Sequence, residues 1–279
     1  MAGKKKESFA WKATKYLFKG IGLGIWYAGK GCVWLIGKGI GATRAKIKES
    51  AEKRKLERIP TYNREAVFEP LQVLKSVNGN YSISEQRLHN ESIIALIFGK
   101  RGSGKSALGF RLLENIHRKT GRKCHVLGVG QSFMPKWISP IKNIEEAPAG
   151  SVVLVDEGAL SFGSRESMSI KNRGLGPLLA VARHKNLTIL FITQNTGMID
   201  KNVLKLSDML LVKQGSLLQL EMERPEIRKF YEKAESAFKK FSGDKRQCVY
   251  IIDSDFEGAI SHSLPSFWTE SLSKNQAEE

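Results

Sequence analysis

Residues 92–119 read SIIALIFGKRGSGKSALGFRLLENIHRK. The stretch begins as an apolar run, passes through three glycines within six residues, and continues with apolar side chains at helical spacing. Leu108, Leu112, Leu113 and Ile116 fall on one face, which predicts a strand, a tight loop and an amphipathic helix in direct succession. Within the loop, GKRGSGKS (Gly99–Ser106) satisfies the pattern G-x-x-x-x-G-K-[ST] in the one context that gives this pattern meaning, a strand feeding it and a helix leaving it.

Those residue types suit a phosphate chain. Gly99, Gly102 and Gly104 let the backbone curl so that successive N–H groups converge, and the helix start adds its partial positive charge. Gly99, Lys100, Arg101, Gly102, Ser103, Gly104, Lys105, Ser106 and Ala107 are therefore the expected nucleotide cradle. Lys105 is placed to bridge the β- and γ-phosphates, and Ser106 to offer its hydroxyl to Mg²⁺. The expected cofactors are ATP and Mg²⁺.

Further along, APAGSVVLVDEG gives a turn and a short apolar run ending in Asp156 and Glu157. Such a run reads as a buried parallel strand, whose C-terminal end is where open α/β sheets place ligands. Asp156 is the expected second group at Mg²⁺, and Glu157 the base that orients and deprotonates the attacking water. A third run, RHKNLTILFITQN (Arg183–Asn195), ends on Thr193 and Gln194. With its strand beside the other two, the Gln194 amide would meet the γ-phosphate or the water and report whether the nucleotide is intact.

Apolar runs predict five strands, at Ile93–Phe98, Cys124–Val129, Val152–Val155, Leu187–Ile192 and Met209–Val212. Together they make a doubly wound, mainly parallel α/β sheet. A further strand pair is expected in QCVYIID and FEGAIS, an amphipathic helix in KFYEKAESAFKKF, and a small β unit ahead of the loop where the Asn78–Gly79 turn precedes YSIS.

The 279 residues carry 45 Lys and Arg against 28 Asp and Glu, a net charge of +17, which implies an anionic partner. Residues 1–60 hold fifteen of those cations and four Glu, a net of +11. On a helical wheel Lys12, Lys15, Lys19, Lys30, Arg44 and Lys48 form one stripe, with Tyr16, Trp26, Tyr27 and Trp34 near its edges. Three readings of this basic, apolar helical arm stay open. It lies on an anionic membrane surface through residues 9–48; it spans a membrane over 20–37 despite Lys30; or it packs on the body or a neighbouring subunit, as its glycines would permit. Cys32, Cys124 and Cys248 form neither a disulfide framework nor a zinc pattern, which points to an intracellular, reducing compartment. The expected domains are the arm at 1–59, an ATPase domain at 60–264 and a tail at 265–279.

A phosphate loop, an Asp-Glu pair ending one strand and a Gln ending the next resemble the additional-strand, RecA-like P-loop ATPases, and within them the FtsK–HerA superfamily of DNA-pumping motors. Arg183 and His184 before the Gln194 strand, and LSDMLLVK after it, narrow the likeness to Zot-like proteins, viral genome-packaging ATPases and conjugative coupling ATPases. FEGAISHSLPSFW is similar to the tails of Zot-like and archaeal relatives. The resemblance covers about residues 90–260. It implies a homo-oligomeric, hexameric ring with ATP at subunit interfaces, DNA in the pore and an arginine finger from the neighbouring subunit, Arg183 first and Arg173 second.

The leading expectation is thus an ATP-driven DNA translocase or packaging motor of a viral or mobile element. A membrane-attached assembly or extrusion ATPase is the rival, and a non-hydrolysing nucleotide-binding scaffold the third reading. A GTPase is disfavoured because no N-K-x-D tetrapeptide follows the fourth strand, and a small-molecule kinase because no lid is evident.

Overall fold

The computed structural model describes residues 61–127, 134–156, 176–199, 201–239, 241–269 and 272. The chain divides into two units, 1–60 and 61–279. The first, with the expected arm, lies outside the described residues, as do Glu157 and Arg173.

In the second unit nine strands form one sheet. They are β1 (Gln72–Gly79), β2 (Ile94–Phe98), β3 (Cys124–Leu127), β4 (Ile138–Ile141), β5 (Val152–Asp156), β6 (Thr188–Thr193), β7 (Met209–Val212), β8 (Cys248–Asp253) and β9 (Phe256–Ser261). Their spatial order is β1-β9-β8-β7-β2-β6-β5-β3-β4. The six from β7 to β4 run parallel, whereas β8, β9 and β1 add an antiparallel flank.

β2 lies at the heart of the parallel region, and every residue of IALIF is buried. Side chains alternate between faces along a strand. Ile94, Leu96 and Phe98 accordingly join one apolar layer with α3 (Gly176–His184) and α4 (Pro225–Phe238), to which α3 gives Leu178, Leu179 and Ala182, and α4 gives Ile227, Tyr231 and Phe238. Ala95 and Ile97 join the other layer, with Leu108, Leu112, Leu113 and Ile116 of α2 (Lys105–Thr120). The expected helix face is thus buried. Gly109 lets this helix close on the sheet, since a Cβ there would lie 2.6 Å from Leu154 Cδ1.

α2 also buries polar groups. Arg111 and Glu114 pair at 2.9 Å and are almost wholly buried. Arg111 donates to the carbonyls of Val67 and Leu264, and Glu114 accepts from the amides of Val67 and Ser266. Asn115 bonds both the N–H and the carbonyl of Glu69. A strap at 64–69 and the segment at 264–268 are thereby held across the helix. Phe267 is fully buried in the same layer, so the segment expected to open a C-terminal tail is packed into the body.

The small β unit expected around Asn78 and Gly79 is not formed. β1 continues through Gly79 and pairs with β9, and YSIS is the first turn of α1 (Tyr81–Asn90). Asn80 caps that helix by accepting from the Ser82 amide at 2.9 Å. The Asn-Gly pair does mark a chain reversal, but into a helix, because β1 takes its partner from the far end of the chain. FEGAIS is β9, joined to β8 by a turn in which Asp253 accepts from the amides of Asp255 and Phe256. β4 was not anticipated. Its ISPI carries Pro140, tolerated because β4 is an edge strand. Elsewhere the anticipated strands stand within about two residues of expectation, with 128–133 outside the described residues.

Candidate nucleotide site

All six parallel strands end on one rim of the sheet, and the loop 99–104 leaves from its centre. Gly102 and Gly104 take φ of 72° and 85°, a left-handed conformation that glycine adopts without a Cβ penalty. A Cβ on Gly104 would stand 2.5 Å from the Arg246 carbonyl oxygen. The Lys105 Nζ, buried, donates to the carbonyls of Gly99 at 3.1 Å and Lys100 at 2.9 Å, so the ammonium is folded over the cradle it is expected to serve. The Ser103 hydroxyl oxygen is buried and has no hydrogen-bond partner among the described residues.

Ser106, on the first turn of α2, places its Oγ 3.5 Å from Asp156 Oδ2 at the end of β5. A hydroxyl beside a carboxylate is an oxygen donor pair suited to a hard divalent cation. Among the described residues, no group of three or more His, Cys, Asp or Glu gathers to hold a metal. These two oxygen donors fit a Mg²⁺ bound together with a nucleotide's phosphates.

β6 lies between β2 and β5, with Phe98 opposite Thr193 and Asp156 opposite Ile192. Gln194 therefore leaves the sheet level with Gly99, on the same rim as Lys105 and Asp156. Its side chain is exposed, while Thr193 below is fully buried and ties the following turn through the Asn195 amide at 3.0 Å.

Arg183 takes a different place. It stands near the C-terminal end of α3, four residues before Leu187, and so at the rim where β6 begins, away from the phosphate loop. Its guanidinium donates to the Leu206 carbonyl at 2.9 Å. Within one chain it is not part of the constellation, so a catalytic role would have to be exerted on a neighbouring copy.

One feature of the site went unread in the sequence. Lys213, the residue after β7, flanks Gly99 on the side opposite Gln194, and a Cβ on Gly99 would meet its side chain at 2.7 Å. Lys213 is fully buried, donating to the Arg246 carbonyl at 2.6 Å and to His262 Nε2 at 2.9 Å. The other ring nitrogen of His262 lies 3.0 Å from the Ser263 carbonyl, which assigns the proton to Nδ1 and leaves Nε2 as the acceptor. Burial lowers Lys213 to about 7, and burial together with the Lys213 charge lowers His262 to about 3. The lysine was visible at the end of LSDMLLVK, but nothing local said that it would be buried.

No family model and no curated protein matches the chain. Among solved structures, similarity is found to the DNA-packaging ATPase of Sulfolobus turreted icosahedral virus, at 17% identity and a TM-score of 0.41 over 63% of this chain and 99% of that one. The conjugation coupling protein TcpA of pCW3 gives 10% and 0.40 over 66% and 62%. The cytoplasmic domain of the type VII secretion ATPase EccC of Thermomonospora curvata gives 13% and 0.37 over 62% and 24%. The chain's own strand order, with β6 inserted between the phosphate-loop strand and the Asp156 strand, is that of an additional-strand P-loop nucleotide-binding fold.

Proposed function

We propose that this protein is an ATP-hydrolysing DNA translocase, a packaging or transfer motor of a viral or mobile element. The observation that carries the reading is the convergence on one rim of Lys105, the Ser106–Asp156 pair and Gln194, drawn from three neighbouring parallel strands and the helix between them. The glycine loop and Lys105 would hold the phosphates, and Ser106 with Asp156 would hold Mg²⁺, which supplies charge neutralisation of the phosphate oxygens when bound. Gln194 would orient the attacking water at the γ-phosphate, and Glu157, next in sequence after Asp156, would take its proton.

DNA as the anionic partner is supported by the net charge of +17 and by the motif resemblance to DNA-pumping motors. A homo-oligomeric ring would supply a trans-acting arginine, with Arg183 the first choice because its rim and exposure leave it free of its own subunit's site. The test is ATP hydrolysis by the full chain with and without DNA. Stimulation by DNA that disappears in Glu157→Gln supports the motor; equal rates with and without DNA overturn it.

A membrane-attached assembly ATPase is favoured by one observation, the basic and aromatic arm at 9–48. Among the described residues no helix is long and apolar enough to cross a membrane. Flotation with anionic vesicles, lost on deleting residues 1–58, distinguishes this reading.

A further inference from the structure

The phosphate-loop strand has two flanks, and the site described so far uses only one. Asp156 and Gln194 stand on the β5–β6 side, so the γ-phosphate and its Mg²⁺ belong there. A nucleotide lying across the loop must then send its base and ribose toward the other flank, where β7 and β8 lie. Because β8 runs antiparallel to β7, with Val212 opposite Tyr250, its start lies on the nucleotide rim. The turn that feeds it, Asp244–Gln247, is therefore set beside the loop.

This turn is built and fastened. Its Arg246 carbonyl faces Gly104 so closely that no Cβ would fit between them, and the same carbonyl accepts from the buried Lys213 Nζ at 2.6 Å. Lys100 N–H donates to the Gln214 carbonyl at 2.9 Å, tying the loop to the same flank. Gln247 is pinned at its carbonyl by the His262 amide at 2.9 Å. In contrast to the backbone, the Arg246 side chain is exposed. Its guanidinium is held by Asp244, with Nε at 2.9 Å and Nη2 at 2.8 Å from Oδ2, while Asp244 also accepts from the Arg246 amide at 2.9 Å. A planar cation with its edge fixed by a carboxylate presents a face, which is the surface that stacks on an aromatic ring.

We propose that the turn Asp244–Gln247 is the nucleoside subsite of this protein, and that the Arg246 guanidinium, oriented by Asp244, stacks on the base of a bound purine nucleotide. The proposal rests on the reading of the loop as a nucleotide site and extends it to the end of the ligand that the phosphate motifs leave undetermined. Arg246 is then a binding and positioning residue, distinct from the arginine that a neighbouring subunit would contribute.

Titration of the full-length protein with Mg²⁺·ATP and, separately, with inorganic tripolyphosphate tests it. Arg246→Ala is expected to weaken ATP about tenfold and to leave tripolyphosphate unchanged, because only the stacking contact is removed. Arg246→Lys, which keeps the charge and loses the plane, is expected to behave like Arg246→Ala. An equal loss for both ligands, no loss for either, or full rescue by lysine overturns the proposal. Lys105→Ala separates the two levels of the reading: it should abolish binding of both ligands, and retained ATP binding in that variant would overturn the phosphate site itself. The thermal midpoint of Arg246→Ala, an exposed side chain, should stay at the parent value.

Discussion

Ser106 and Asp156, fifty positions apart in the chain, bring a hydroxyl and a carboxylate oxygen to 3.5 Å at the C-terminal rim of the sheet. Ser106 reaches the spot because it is the second residue of α2; Asp156 reaches it because it ends β5. If this pair holds Mg²⁺, Asp156→Asn should lower hydrolysis by about 10² or more while nucleotide without metal still binds, since the loss is of charge at the metal and not of the cradle. Mg²⁺ titration of the rate is the check, and an unchanged metal dependence would remove Asp156 from the site.

Gly104 and Gly102 share a left-handed backbone but not their surroundings. A Cβ at 104 would strike the Arg246 carbonyl at 2.5 Å, whereas one at 102 would meet nothing within 4 Å. Gly104→Ala should therefore abolish nucleotide binding and lower the melting temperature. Gly102→Ala should cost only the backbone strain, about 1–3 kcal/mol. Differential scanning fluorimetry of both variants, with and without ATP, tests the order; equal effects would contradict the packing of the 244–247 turn on the loop.

The clasp on the back of α2 predicts a stability effect remote from any chemistry. Glu114→Ala would take from the Arg111 guanidinium its buried carboxylate partner, leaving the more exposed Glu69 at 3.2 Å, and would strand the amides of Val67 and Ser266. A buried pair broken on one side costs roughly 3–5 kcal/mol. Urea denaturation should show an unfolding free energy lower by that amount. A change below about 1 kcal/mol would mean the strap and the 264–268 segment are not held as described.

Lys213 gives a pH signature. Its folded value of about 7 lies below the ordinary 10.5, chiefly through burial, so between these values the unfolded chain binds more protons than the folded one. Stability from this group therefore rises as pH climbs from 7, and its burial penalty is fully present below 7. His262, held at about 3 against 6.5, acts in the same direction at lower pH. The raised Cys248 thiol opposes the trend only toward and above its ordinary 9.0. Stability measured from pH 7 to about 9 should rise in the parent protein and be flatter in Lys213→Met, and identical slopes would refute the assignment.

Much of this arrangement is legible in the sequence. The two-sided apolar runs at 94–98, 152–155 and 188–192 announce interior strands because a strand covered on both faces has no polar alternation to keep. GKRGSGKS announces its loop because left-handed backbone at Gly102 and Gly104 needs glycine. The segment YSIS was misread for a definite reason: its β-branched and aromatic residues suit a strand, yet the Asn80 side chain offers a helix cap, and β1 finds its partner some 180 positions away in β9.

The sequence by itself determined where the glycine loop would lie and which runs would be buried, because those properties follow from side-chain type, glycine freedom and local periodicity. Only the tertiary structure decided that β6 stands between β2 and β5, so that Gln194 shares the rim of Lys105 while Arg183 lies at the other. It alone brought Lys213, His262 and the Arg246 carbonyl together behind the loop. Strand order and the meeting of distant polar groups depend on long-range pairing, which is selected by the packing of the whole sheet and leaves no signature in any short stretch of chain.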